Sequence, residues 1–339
     1  MRFIHTADLH LGKVCEEQSL LKDQRDMLVQ LLRAVEDEEP DAVIIAGDIY
    51  DQPVPSAETV HLLDEFLHQL TVELETPVLA ITGNHDEAKR LLFGNRLTKE
   101  NGCHIKINLQ EAFTPVILND EHGPVQFFLL PYNHPGLIRS YFGLDKIPTY
   151  ADAYRMMVNH IEETRDPNSR CVLVTHAFVT EGGTAMEHDS DAEHNLPSVA
   201  GAEQVPAEIF GSFDYVALGH LHRNTHVVSE HVRYAGSPLK YSIQEEDHHK
   251  GFQLVELDGN GRLKLQQLPV NPVKNLRTVE GTLEEILLAP ISEDYVFVRL
   301  LDENQVDDAM EQIRTVYPNA LQMSCINSIQ DTLLRECEG

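Results

Sequence analysis

The sequence predicts an α/β fold built on sheets buried on both faces, and three observations carry that prediction. Short apolar, β-branched runs alternate with helix-period segments through the first two-thirds of the chain. Runs such as AVIIA (42–46) and VLAIT (78–82) are apolar at nearly every position, as strands covered on both faces are. After several runs the chain turns at once to Gly, Asp, Asn and His, at the strand ends where sites assemble in open α/β sheets.

In chain order, FIHT (3–6) is the first strand. It is followed by a helix over 20–38, where Leu20, Leu21, Met27, Leu28, Leu31, Leu32 and Val35 recur at helical spacing and Pro40 ends the pattern. AVIIA is the second strand, and a second helix runs from Ser56, an N-cap residue, to about Leu74. VLAIT follows Pro77. Further strands are expected at VQFFLL (125–130), CVLVT (171–175) and YVALG (215–219), with a helix near 150–164. THVVS, VRYAG, GFQLVEL and RLKLQQL read as antiparallel strands joined by turns, and DGNGR (258–262) is a hairpin signal.

After about Pro272 the pattern changes. TLEEILLAP opens with a Thr282–Glu285 capping box, DYVFVRLL reads as a strand, NQVDDAMEQIRTVY as a helix and ALQMSCI as a strand. The expected organisation is therefore a large domain over 1–270 and a small α+β domain over 273–330. No internal repeat is visible, and GGTAMEHDSDAEHN (182–195) is expected to be a mobile acidic loop.

At 339 residues, with 42% hydrophobic and 24% charged residues, the chain is long enough for two domains and apolar enough to fold. Its 26 Lys plus Arg against 55 Asp plus Glu give a net charge of -29, which argues against a broad electrostatic grip on nucleic acid by this chain alone. Five cysteines without a CxxC pair fit a reducing compartment and supply no thiolate metal site. The opening MRFIHTADLHLG is too polar for a secretory signal, and no apolar run approaches the ~18 residues that span a bilayer. A cytoplasmic protein without membrane association is expected.

The chemistry lies in five polar motifs. ADLHLG places Asp8 and His10 two residues apart, on one side of an extended segment. AGDIYD brings Asp48, GNHD brings Asn84, His85 and Asp86, VTHAF brings His176, and GHLH brings His220 and His222. Any one histidine after a strand is most often hydrogen-bonded structure, and the sequence has 18 histidines. Five such motifs all falling at strand ends make chance a poor explanation.

DLH, GDIYD, GNHD, the isolated TH and GHLH, in this order, resemble the signature of the calcineurin-like metallophosphoesterases. MRFIHTADLHLGK and RYAGSPLKYS are similar to the SbcD nucleases of bacterial SbcCD repair complexes, and the likeness covers about residues 1–270. It implies a four-layer metallophosphoesterase β-sandwich flanked by helices, with a small C-terminal α+β capping domain that helps to position DNA. Carried to matching positions, the family pattern assigns Asp8, His10, Asp48 and His222 to one metal and Asp48, Asn84, His176 and His220 to the other. Asp48 then bridges the two.

Physical chemistry agrees with that implication. Two divalent cations ~3.5–4 Å apart repel unless an anion sits between them, and a carboxylate can bridge where an imidazole cannot. The mixed imidazole, carboxylate and amide set suits manganese, iron or zinc over calcium or magnesium, and the resemblance points to manganese. Two such ions and two aspartates leave the site positive. More distant acidic groups are screened beyond the ~8 Å Debye length, so an acidic chain can still draw in a phosphodiester.

The resemblance also implies an exonuclease on double-stranded DNA ends and an endonuclease on single strands and hairpins. It implies a homodimer that works with an SbcC-type ATPase. Family members continue into a segment that binds the base of that partner's coiled coil, and the sequence ends at Gly339. His85 is the expected proton donor to the leaving oxygen, with Asp86 orienting its ring. Tyr241 and Lys240 are candidate phosphate contacts, whereas His188, His194, His248 and His249 are expected to be solvated. Two other readings stay open: a small-molecule phosphatase or phosphodiesterase with the same metals, and a non-catalytic scaffold. Nucleotide release from duplex DNA against hydrolysis of a small phosphodiester separates the first. A metal-loaded protein that is inactive on several DNA substrates favours the second.

Overall fold

A computed structural model describes residues 1–91, 101–182, 204–302 and 306–325. Two six-stranded sheets pack face to face with helices outside, giving four layers. The first sheet has β1 (Arg2–Thr6), β2 (Ala42–Ala46), β3 (Val78–Ile81) and β4 (Cys103–Lys106) side by side and parallel. The second contains β5 (Val116–Asp120), β6 (Gly123–Leu130), β7 (Arg170–His176), β8 (Tyr215–Gly219), β9 (Thr225–Val227) and β10 (Ser229–Tyr234), in the order β9-β10-β8-β7-β6-β5. Strands β11 (Gly251–Leu257) and β12 (Leu263–Pro269) pair antiparallel and complete the first sheet beside β1.

Alternation along the strands explains why the runs are apolar throughout. In β2, Ile44 and Ala46 face the opposite sheet with Phe3, Phe127, Val172 and Tyr215, while Val43 and Ile45 face the helices. The outer face of the first sheet is covered by α1 (Leu21–Glu38) and α2 (Ala57–His68), through Met27, Leu31, Val35, Leu62 and Phe66. Ser56 caps α2, its side chain accepting the Thr59 N–H at 3.1 Å. The outer face of the second sheet is covered by α3 (Pro135–Phe142) and α4 (Tyr150–Thr164), with Tyr154, Met157 and Ile161 inward.

The C-terminal unit is a parallel three-stranded sheet, β13 (Leu276–Gly281), β14 (Tyr295–Leu300) and β15 (Ala320–Cys325). The connections carry α5 (Leu283–Leu287) and α6 (Ala309–Ile313). The Thr282–Glu285 capping box is present. Its core, Leu283, Ile286, Val296, Val298, Ile313 and Tyr317, is its own. It touches the sandwich where the Tyr295 hydroxyl donates to Asp23 at 2.8 Å.

Several expectations need correction. β10 runs parallel to β8 rather than in an antiparallel series, so only β9–β10 and β11–β12 are hairpins among the late strands. The second helix ends at His68, and Gln69–Glu73 is a π turn. The edge strands β4 and β5 and the first module strand β13 escape sequence reading because they are short or half-exposed, without a continuous apolar run. The acidic segment at 182–195 lies almost wholly outside the described residues, as do His188 and His194. Among the described residues, no helix is long and apolar enough to cross a membrane.

Candidate metal centre

The carboxyl ends of β1, β2, β3, β7 and β8 meet at one edge of the sandwich and bring the five motifs together. Asp8, His10, Asp48, His176 and His222 are buried there, and Asn84 and His220 are half-buried. His176 is the last residue of β7, whereas the others sit on the loops just beyond their strands. Those loops are backbone-strained, and the segment of Asp8 and His10 is not extended as expected: Asp8, His10, Asp48 and His220 all have positive φ, at 53°, 42°, 50° and 111°. Non-glycine residues in such conformations cost about 1–3 kcal/mol each and cluster at functional sites.

Two glycines allow the approach. A Cβ on Gly83 would lie 2.1 Å from Asp48 Oδ1, and one on Gly219 would lie 1.9 Å from the Ala46 carbonyl oxygen. Only glycine lets the Asn84 loop close on Asp48 and the second sheet close on the first.

The geometry is a convergence of acceptors. His222 Nδ1 is 2.9 Å from Glu245 Oε1, so in that ring the proton belongs on Nδ1, and His10 Nδ1 lies 3.3 Å from Asp51 Oδ1. The two Nε2 atoms lie 3.1 Å apart, close enough to serve as adjacent ligands of one cation. His176 Nδ1 donates to the Ala46 carbonyl at 2.9 Å. Its Nε2 lies 2.9 Å from Asn84 Oδ1 and 3.3 Å from Asp48 Oδ2, where in the metal-free protein it holds a proton that a metal would replace. His220 Nδ1 is 3.2 Å from the same Asn84 oxygen.

One oxygen, Asp48 Oδ2, is 3.8 Å from His10 Nε2 and 3.3 Å from His176 Nε2, between the two groups of imidazoles. Asp8 accepts the His220 backbone N–H at 3.0 and 3.1 Å. Donor atoms of Asp8, His10 and His222, and of Asp8, Asp48 and His176, gather closely enough to hold one ion each. The residues fit a pair of divalent metals.

The local field attracts positive charge. Burial opposes protonation of His176, but Asp48, Asp8 and the Ala46 carbonyl outweigh it and push its pKa up to about 10. Burial likewise opposes the charge on Asp51, yet His10 and Lys13 hold its carboxyl below the usual range.

His85 and Asp86 lie beside this centre. The His85 backbone N–H donates to Asp48 Oδ1 at 2.9 Å, its Nδ1 is 3.0 Å from the Asp51 carbonyl, and its ring packs edge-on to His10. Asp86 does a different job from the expected one. Its carboxylate accepts the backbone N–H groups of Ile49, Tyr50 and Gly83, at 3.1, 2.9 and 2.9 Å, and so staples the Asp48 loop to the Asn84 loop. Burial and the nearby Asp48 charge push its pKa up to about 6. The Asp51 carbonyl, not Asp86, meets the His85 ring.

Three further expectations fail. The Tyr241 hydroxyl is buried and donates to the Leu9 carbonyl at 2.5 Å, so it does not reach a phosphate. Lys240 is held by the Asn275 side chain at 3.0 Å and by the Glu246 carbonyl at 2.5 Å. His248 packs between Arg223 and Lys250, where burial and then Lys250 lower its pKa to about 4. The residues that sequence reading misses are Asp51 and Glu245. Asp51 is visible in GDIYD without a role, and Glu245 hides in the acidic run QEED, which reads as solvated charge.

Residues 1–224 match the family described as Calcineurin-like phosphoesterase, and residues 272–336 match the Type 5 capsule protein repressor C-terminal domain. The chain is 34% identical over 328 residues to the SbcD subunit of nuclease SbcCD from Staphylococcus epidermidis, covering 96% of this chain and 85% of that protein. It is 31% identical to the SbcD subunit of nuclease SbcCD from Staphylococcus saprophyticus, over 96% of this chain and 84% of that one. Among solved structures, TT1561 of Thermus thermophilus aligns with a TM-score of 0.45 at 11% identity, over 78% of this chain and 98% of that one.

Proposed function

The chain belongs to the calcineurin-like phosphoesterases and, among them, to the family of the SbcD nucleases, and from that premise we propose that it is a metal-dependent DNA nuclease subunit of an SbcCD-type repair complex. In this reading it acts as an exonuclease on double-stranded ends and an endonuclease on single strands and hairpins, as a homodimer with an SbcC-type ATPase. The division into a nuclease domain (1–270) and a capping domain (273–330) belongs to the same proposal.

One observation carries the reading. Nitrogen and oxygen atoms from five separate strand ends converge with Asp48 Oδ2 between them, a donor set suited to divalent cations. Asp8, His10, Asp48 and His222 would hold one ion and Asp48, Asn84, His176 and His220 the other, with manganese the metal. When bound, such a pair supplies an activated water and neutralises charge on the phosphate. Asp48 would serve both ions, Asp51 and Glu245 hold two of the imidazoles, and Asp86 fixes the spacing of the Asp48 and Asn84 loops. With Nδ1–H donated to the Asp51 carbonyl, His85 in its imidazolium form would give its Nε2 proton to the leaving sugar oxygen and revert to the neutral ring.

The test combines metal analysis with assays on blunt, hairpin and single-stranded DNA, with and without Mn2+. Two ions per chain and manganese-dependent release of nucleotides are expected. Hydrolysis of a small phosphodiester with no action on DNA would replace the nuclease reading with a small-molecule phosphodiesterase. Full metal loading with no hydrolysis of either would leave a scaffold.

A further inference from the structure

We propose that Glu245, charge-balanced by Lys250, is a positioning residue that holds the His222 imidazole with its proton on Nδ1 and so delivers Nε2 to a metal ion. The inference rests on the two-metal reading and adds a residue that none of the five motifs contains.

Glu245 closes the short 3-10 turn Ile243–Glu245 and is fully buried. Both of its oxygens are engaged. Oε1 is 2.9 Å from His222 Nδ1 and accepts from the Ser242 hydroxyl at 3.2 Å. Oε2 is 2.5 Å from Lys250 Nζ and accepts from the Ser237 hydroxyl at 3.3 Å. Lys250 also donates to the His222 carbonyl at 2.7 Å and to Ser237 Oγ at 2.8 Å, so it grips the backbone of the residue whose ring Glu245 grips.

A buried carboxylate needs a cation and full hydrogen bonding, and Lys250 with Ser237 meets that need at one oxygen. The other oxygen is taken by the imidazole. A neutral His222 paired in this way has no proton on Nε2, the atom 3.1 Å from His10 Nε2. A carboxylate behind an imidazole fixes ring orientation and tautomer and raises the basicity of the ligand nitrogen. His176, by contrast, is backed by the neutral Ala46 carbonyl, so the two sides of the centre differ in how firmly an imidazole is charged toward its ion.

The test uses the full chain. Mn2+ titration followed by calorimetry and electron paramagnetic resonance is expected to show two ions in the wild type. In E245Q one of them should bind about 10- to 100-fold more weakly while the other keeps its affinity. Long-range proton–nitrogen correlation spectra of the metal-free wild type, with H222N for assignment, should show His222 protonated on Nδ1. That spectrum stands even if E245Q does not fold. An Nε2-protonated His222 in the wild type, or a folded E245Q with both affinities unchanged, overturns the inference and leaves the two-metal reading standing. A wild type that binds no Mn2+ overturns both.

Discussion

The two sheets of the sandwich meet at one edge but bring different chemistry to it. The first sheet presents Asp8, His10, Asp48 and Asn84 on loops, so both carboxylates and the amide come from one side. The second presents only imidazoles, His176 from the end of β7 and His220 and His222 from the loop after β8. Neither sheet alone has a complete set for either proposed ion. The centre therefore exists only where the sheets are packed, and any ion held there also clamps one sheet to the other. Asp48 is the residue on which that division turns, since its Oδ2 stands between His10 of its own sheet and His176 of the opposite one.

The largest effect should follow from removing that carboxylate. Asp48→Ala is expected to lose both ions by metal analysis and to lower turnover on the order of 10³-fold or more, because metal charge stabilisation is worth several kcal/mol. A variant that keeps two ions would break the comparison, since the first sheet would then not supply the bridge. His85→Asn comes next. It leaves every proposed ligand in place, so two ions should remain while turnover falls ~10²- to 10⁴-fold, the range for a general acid. Wild-type turnover in that variant would remove His85 from the chemistry.

How much of this is legible in the sequence follows from the same asymmetry. The strands β1, β2, β3, β7 and β8 announce themselves because both faces are buried, and the proposed ligands announce themselves because each closely follows or ends such a strand. Edge strand β5 lacks that double burial, β4 is four residues long and places His104 and Lys106 on one face, and both go unread. Adjacency alone assigns Asp86 to the His85 ring. Its carboxylate is instead taken by three backbone amides, donors no side-chain pattern reveals. Glu245 is illegible for a related reason, since a buried carboxylate and a solvated one look alike in an acidic run until Lys250 and His222 are seen on either side.

The imidazole side should also titrate. In the metal-free protein the His176 pKa is pushed up to about 10, so below that pH the ring holds a proton that a metal must displace. Apparent Mn2+ affinity should accordingly rise with pH, by up to tenfold per unit for each proton released, about 1.4 kcal/mol. Calorimetry in two buffers of different ionisation enthalpy would count the protons. His176→Asn should release one fewer than wild type, and an equal count would place the titrating group elsewhere.

The smallest effect concerns how the sheets are joined away from the ions. His5 on β1 lies in the interface, where its Nε2–H donates to the Leu218 carbonyl at 3.2 Å and its Nδ1 accepts from the Tyr215 hydroxyl at 3.0 Å. Both partners belong to the second sheet, and the neutral ring satisfies both. A protonated ring would turn a second N–H on a hydroxyl in a fully buried site. Burial accordingly lowers its pKa to about 3, from an ordinary 6.5. Between those values the unfolded chain binds the proton and the folded chain does not, so stability falls as pH drops through that window. From pH 6.5 to 5.5 the loss from this group should be about 1 kcal/mol, read by urea unfolding with chelator present so that metal binding adds nothing to the unfolding free energy. His5→Asn has nothing to protonate there, and its unfolding free energy should lack this component of the pH dependence. If wild type and variant lost stability in parallel, the acid sensitivity would lie in other groups, and the sheets would be joined at His5 by shape alone.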